Sequence, residues 1–230
     1  MGQGIGGTQA DSQLRQGTAV QGLVSIMEQN LGETLSADQT KTLWEVSSIL
    51  EKLGPLAEET GPLLARFFRL GGSALAASAL ARVAPETAKE VLLDCSLDPG
   101  CRGFPDSGLT VLGPRIVPDI REWLDGSDIR LMKSALHVLG EMGASSVAAI
   151  PQVMRTINHG DKEVRRWSAM ALGRIGYPAL QSAEALELLS RKDPDATVRR
   201  AALDALIAIR EAWEKGIGTC FLIEKVSKIP

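Results

Sequence analysis

DIRLMKSALHVLGEMG at residues 128–143 is followed by DKEVRRWSAMALGRIG at residues 161–176, and the register between them decides the fold. A shift of 33 places Asp128 on Asp161, Leu131 on Val164, Leu139-Gly140 on Leu172-Gly173 and Gly143 on Gly176. The same shift carries Val117, Pro118, Ile120 and Leu124 onto Ile150, Pro151, Val153 and Ile157. A third copy lies 34 residues on, where Val164-Arg165-Arg166 returns as Val198-Arg199-Arg200. Spacing in this range marks a repeat array, each unit being a helical hairpin that cannot bury its apolar face alone.

Working outward from these copies, helices are expected over 115–125, 147–158 and 179–190 as one set and over 129–142, 163–175 and 196–212 as the other. Short polar turns such as Asp125-Gly126-Ser127 and Asn158-His159-Gly160-Asp161 make successive helices antiparallel. Ala135, Ser168 and Ala202 form a column of small residues at which backbones can approach. Upstream, Ser36-Ala37-Asp38-Gln39 is a capping box. The helix it starts carries Leu43, Trp44, Val46, Ile49, Leu50 and Leu53, and Gly54-Pro55 stops it. Residues 62–70 and 73–83 read as a hairpin. Residues 86–97 begin another, whose partner is shortened by the breaker-rich run Asp98-Pro99-Gly100-Cys101-Arg102-Gly103-Phe104-Pro105. That irregular 98–112 segment reads either as a degenerate repeat or as a functional loop. Residues 1–18, rich in Gly and Gln, read as a flexible tail. Residues 19–60 read as N-terminal helices and residues 61–230 as the repeat array, most regular over 113–212. Phe221, Leu222, Ile223, Val226 and Ile229 predict a last helix covering the open end of the array.

Composition agrees with helices. The chain of 230 residues is 44% hydrophobic and only 4% aromatic, and Ala and Leu favour helices over strands. A net charge of -3 gives no basic field for non-specific nucleic-acid binding. Three cysteines, Cys95, Cys101 and Cys220, lack metal-motif spacing and read as ordinary thiols of a reducing compartment. The N-terminus has no charged start followed by an apolar stretch, so it does not read as a secretory signal, and the broken apolar region at 62–84 does not read as a membrane span. A cytoplasmic protein is the expectation.

The pattern resembles HEAT repeats, in particular the short form found in phycobilisome-lyase-type proteins. Pro118 or Pro151 in a first helix, an acidic turn, and Val-Arg with spaced Ala and Leu-Gly in a second helix carry the resemblance. Val164-Arg165, Ala171-Leu172-Gly173, Val198-Arg199 and Ala205-Leu206 carry it best, and Met132 departs from it where the other copies have Arg165 and Arg199. The resemblance implies an all-α fold, a right-handed α-solenoid of about four to five helical hairpins with additional N-terminal helices and a C-terminal capping helix. It also implies that the second helices line the concave face, and that Arg165 and Arg199 pair with Asp161 and Asp195 in the turns.

Catalytic chemistry has little to build on. His137 and His159 fall in different predicted elements, neither a P-loop nor a GxSxG is present, and no cofactor or metal site is expected. The candidate site is instead a surface. Lys133, Arg166 and Arg200 occupy equivalent positions on the second helices; one turn on come His137, Met170 and Asp204, and a further turn gives Glu141, Arg174 and Ala208. Such a ladder suits a protein partner carrying an acidic patch. Trp123, Trp167 and Trp213 read either as packing residues or as exposed anchors. The expected function is a non-enzymatic protein-binding scaffold or adaptor. The alternatives are a bilin lyase-type enzyme or enzyme subunit, implied by the resemblance, and a nucleic-acid-binding HEAT-like protein using the arginine ladder.

Overall fold

The computed structural model describes the backbone of residues 6–226 and the side chains of residues 17–215. Among the described residues every regular element is a helix and no strand is present, as an all-α solenoid requires. The chain divides into two compact units, Met1–Leu112 and Gly113–Pro230.

The first unit contains α1 (Gly6–Asn30), α2 (Ala37–Leu53), α3 (Gly61–Arg69), α4 (Ala74–Val83), α5 (Pro85–Leu97) and α6 (Pro105–Leu112). The start of α2 is the expected capping box. Ser36 Oγ accepts from the Gln39 amide at 3.2 Å, and the Ser36 amide donates to Gln39 Oε1 at 2.9 Å. Gly54, at φ 56°, ends the helix in a conformation costly for any residue with a Cβ. α4 packs against both α2 and α6, with α3 and α5 alongside. Phe67, Phe68, Leu64, Leu80 and Leu92 are fully buried between them. Alternate helices therefore stack here as they do in the second unit, although the sequence shows no repeat in this region. Of the expected tail, residues 1–5 lie outside the described residues, as do the side chains to residue 16; α1 begins at Gly6.

The second unit contains α7 (Val117–Glu122), α8 (Ile129–Met142), α9 (Ile150–Thr156), α10 (Lys162–Ile175), α11 (Ala183–Lys192) and α12 (Ala196–Val226). α8, α10 and α12 lie side by side, as the repeats require. Gly140 abuts Ala171 while Gly143 reaches Arg174, so α8 and α10 run parallel. The first-set helices are shorter than expected. Each begins as a 3-10 segment (Gly113–Ile116, Gly143–Ala149, Tyr177–Ser182) before the α-helix forms. Pro118 and Pro151 explain two of these boundaries: proline lacks an amide and is tolerated only in the first turn.

Ala135, Ser168 and Ala202 are each fully buried, as the small-residue column requires. Ser168 Oγ also shares a hydrogen bond with Thr156 Oγ1 at 2.7 Å, satisfying two buried hydroxyls. The expected covering helix at the C-terminus falls where side chains lie outside the described residues; α12 itself continues to Val226.

The expectation for two of the cysteines is overturned. Cys95 and Cys101 are not ordinary thiols but a disulfide, with Cα atoms 5.3 Å apart. The breaker-rich run between them folds the chain back on the end of α5 and brings the two sulfurs together. The cytoplasmic expectation rested partly on unpaired thiols and loses that support. Among the described residues no helix is long and apolar enough to cross a membrane.

Candidate protein-docking groove

The site is built on the inter-helix turns of the second unit. Asp161 caps α10, its Oδ1 accepting from the Glu163 and Val164 amides at 2.8 and 3.0 Å. His159 Nδ1 accepts from the Asp161 amide at 3.0 Å, which places the ring proton of neutral His159 on Nε2. The turn is therefore rigid before any charged side chain is added.

The structure then corrects the expected arginine pairs. Arg165 does not bind Asp161. Its Nε donates to Asp193 Oδ2 at 2.7 Å and its Nη2 to Asp193 Oδ1 at 3.1 Å, while Nη1 donates to the carbonyls of His159 and Gly160. This bidentate pair is buried, with side-chain exposures of 12% and 3%. Arg199 does not bind Asp195 either; it donates to the carbonyls of Asp193 and Pro194. Asp195 is occupied by the Thr197 hydroxyl, the Thr197 amide and Lys162 Nζ. The physical reason is reach: a carboxylate that caps its own helix has its oxygens turned to the amides, so Arg165 finds the carboxylate of the next turn along and Arg199 the carbonyls of the turn before its own helix. The result is a strap between consecutive repeats.

Arg166 projects from the next position of α10, away from the strap. It forms an ion pair with Glu163 at 2.6 Å, touches Met170 Sδ at 3.6 Å and lies 5.2 Å above the Trp167 ring. The edge of His137 meets the same tryptophan at 5.4 Å between centroids. Arg174 binds Glu141 across the α8–α10 seam, and Arg200 binds Asp204 at 3.0 Å. Lys133 stands close enough to Asp161 to favour its ionised form.

Between α10 and α12 these residues border an open groove of about 680 Å³. Its floor is Met170, Gly173, Ala201, Ala205 and Ala208, and its charged edges are Arg166, Arg174, Arg200 and Asp204. Five of the eight candidate residues thus share one depression: Arg166, Met170, Arg174, Arg200 and Asp204. Lys133, His137 and Glu141 lie on α8, outside its lining. Sequence reasoning missed how the floor is made. Gly173 lets α12 approach so closely that an added Cβ would lie 2.8 Å from Ala205 Cα. The Leu-Gly motif was the signal for that approach.

A second groove, of about 800 Å³, lies between α11 and α12, lined by Leu180, Leu203, Ile207 and Trp213. Of the three tryptophans in question, Trp213 is exposed, whereas Trp123 and Trp167 are half-buried. Among the described residues no three His, Cys, Asp or Glu side chains are placed to hold a metal ion.

Comparison with known proteins agrees with this geometry. Residues 117–207 match the family described as HEAT repeats. No curated protein matches the chain. Among solved structures, a designed armadillo repeat protein in complex with the peptide (KR)4 is similar, at 16% identity and TM-score 0.50, over 84% of this chain and 92% of that one. An engineered protein is matched at 17% identity and TM-score 0.49, over 84% of this chain and 93% of the other. The helical stacking of the second unit and the family match together identify residues 117–207 as HEAT-like repeats.

Proposed function

We propose that the chain is a non-enzymatic docking scaffold, and that the α10–α12 groove takes an extended acidic segment of a partner protein. The groove itself carries the reading: an apolar floor with three arginines and one carboxylate at its edges. Each arginine already has a carboxylate of its own chain, but these pairs are on the surface, where an ion pair is worth about 1 kcal/mol or less. A partner carboxylate therefore exchanges with them at small cost, and apolar side chains alternating with the acids would fill the floor. The designed armadillo repeat protein, in complex with a peptide, supports the use of stacked helices to seat a peptide segment. Its peptide is basic; the arginine edges here favour the opposite charge.

The test uses fluorescent peptides of alternating Glu and Leu, alternating Lys and Arg, and a neutral control, titrated with the full chain at several salt concentrations. Tighter binding of the acidic peptide, weakening with salt and lost on combining Arg166→Glu, Arg174→Glu and Arg200→Glu, is expected. Equal binding of all three peptides, or binding indifferent to the triple variant, overturns the proposal.

A further inference from the structure

The loop at 98–104 interrupts the helical order of the first unit, and it is closed covalently. Cys95 sits in the last turn of α5 and is 7% exposed; Cys101 lies in the loop and is half-buried. Two hydrogen bonds shape the loop from within, the Gly100 amide to Asp98 Oδ1 at 2.8 Å and the Cys101 amide to the Asp98 carbonyl at 3.1 Å. The disulfide is what fastens its middle to the buried end of α5. Beyond Cys101 the chain lies over Phe68: a Cβ on Gly103 would fall 2.4 Å from Phe68 Cζ. Phe68 is fully buried, while Phe104, next along, is 67% exposed.

We propose that Cys95–Cys101 is a thiol–disulfide exchange site, a reversible clamp that holds residues 98–104 over Phe68 and releases them when a dithiol reductant opens it. The asymmetry of burial sets the chemistry. The reductant's thiolate attacks Cys101 Sγ, the more accessible sulfur, and forms a mixed disulfide there. The Cys95–Cys101 bond breaks, and Cys95 leaves as a thiolate that takes up a proton. The reductant's second thiolate then attacks its own sulfur in the mixed disulfide, Cys101 leaves and is protonated, and the reductant ends as its disulfide. Two electrons and two protons have passed to the cysteine pair. An oxidised dithiol of the same class runs the sequence backward. Opening removes the covalent tie between the loop and α5, so the segment over Phe68 lifts and the ring joins Phe104 in one apolar patch.

The full chain is equilibrated in graded mixtures of reduced and oxidised dithiothreitol, then denatured and alkylated, and its mass is read. One label per chain (on Cys220) is expected at the oxidised end and three at the reduced end. Hydrogen exchange is measured on the same samples without denaturation. Amides at 100–104 are expected to exchange about tenfold faster in the reduced chain, while those of α4 and α8 stay unchanged as the control for folding. Cys101→Ser should show the fast pattern at every ratio. Three labels in all mixtures, or the same exchange at 100–104 in oxidised and reduced chains, overturns the proposal.

Discussion

Replacing Gly173 by alanine tests the packing on which the groove depends. The new Cβ would lie 2.8 Å from Ala205 Cα and 2.9 Å from Ala205 Cβ, short of ordinary contact by roughly 0.6 Å. The obstructing Cα belongs to the backbone of α12, so relief requires moving two helices apart rather than turning a side chain. Overpacking of this kind costs about 1–3 kcal/mol, and alanine returns about 1 kcal/mol through its better helix propensity. Because the obstruction is backbone, the upper part of that range applies, and a net loss of about 1–2 kcal/mol is expected. Gly140, the equivalent residue of α8, is the internal comparison. There the added Cβ would sit 3.3 Å from Ala171 Cα and 3.3 Å from Arg174 Cδ, and the arginine stem can swing away. Gly140→Ala should therefore fall within about 0.5 kcal/mol of the parent. Urea unfolding followed by tryptophan fluorescence reads the difference as a midpoint lower by about 0.5–1 M for Gly173→Ala alone. Adding Ala205→Gly removes the clash with the alanine Cβ but not with the backbone, so it should recover only part of the loss. Equal midpoints for the two single variants would refute the view that α10 and α12 are held closer than α8 and α10.

Two further outcomes are expected. Asp193→Asn leaves the Arg165 guanidinium buried with two carbonyls and without its hydrogen-bonded carboxylate, and should cost about 3 kcal/mol in the same urea assay, whereas Lys162→Ala, which removes an exposed pair, should change little. Stability should also fall under acid. The Arg165 guanidinium holds the Asp193 carboxyl below the ordinary range, the Val164 amide does the same for Asp161, and the Thr197 hydroxyl, followed by Lys162, for Asp195. Each folded carboxyl is depressed below its unfolded value, so its contribution is complete above the unfolded pKa and is lost as pH falls through the folded one. The thermal midpoint should hold near neutrality and decline below about pH 5, with a shallower decline in Asp193→Asn; a midpoint flat down to pH 3 would contradict the roles given to these carboxylates.

The repeat register, the α8 and α10 positions, the start of α12, the Ser36 cap and the Gly54 stop were all legible in the sequence, because each depends on spacing or on residues within one turn; that α12 runs unbroken past 212 was not. Pro118 and Pro151 also carried the message that the first-set helices start late, a local rule that repeat alignment overrode. The α2–α4–α6 stacking of the first unit left no such trace. Helices there pack by shape and burial, which many residue combinations satisfy equally well.

The candidate surface divides along the same line. Positions 166, 170 and 174 share a face of α10 and positions 200 and 204 a face of α12 by helical period, and the repeat register sets the two faces in line, so their grouping was visible from one chain. Their partners were not. Whether Arg165 meets Asp161 or Asp193, and whether Cys95 and Cys101 are free or bonded, depends on where separate turns arrive in space. Helical periodicity is set by the backbone of a single segment and can be counted along the sequence. Contacts between segments are set by how closely Gly173 lets α12 approach and how tightly the loop after α5 folds back, and those distances exist only once the chain has packed.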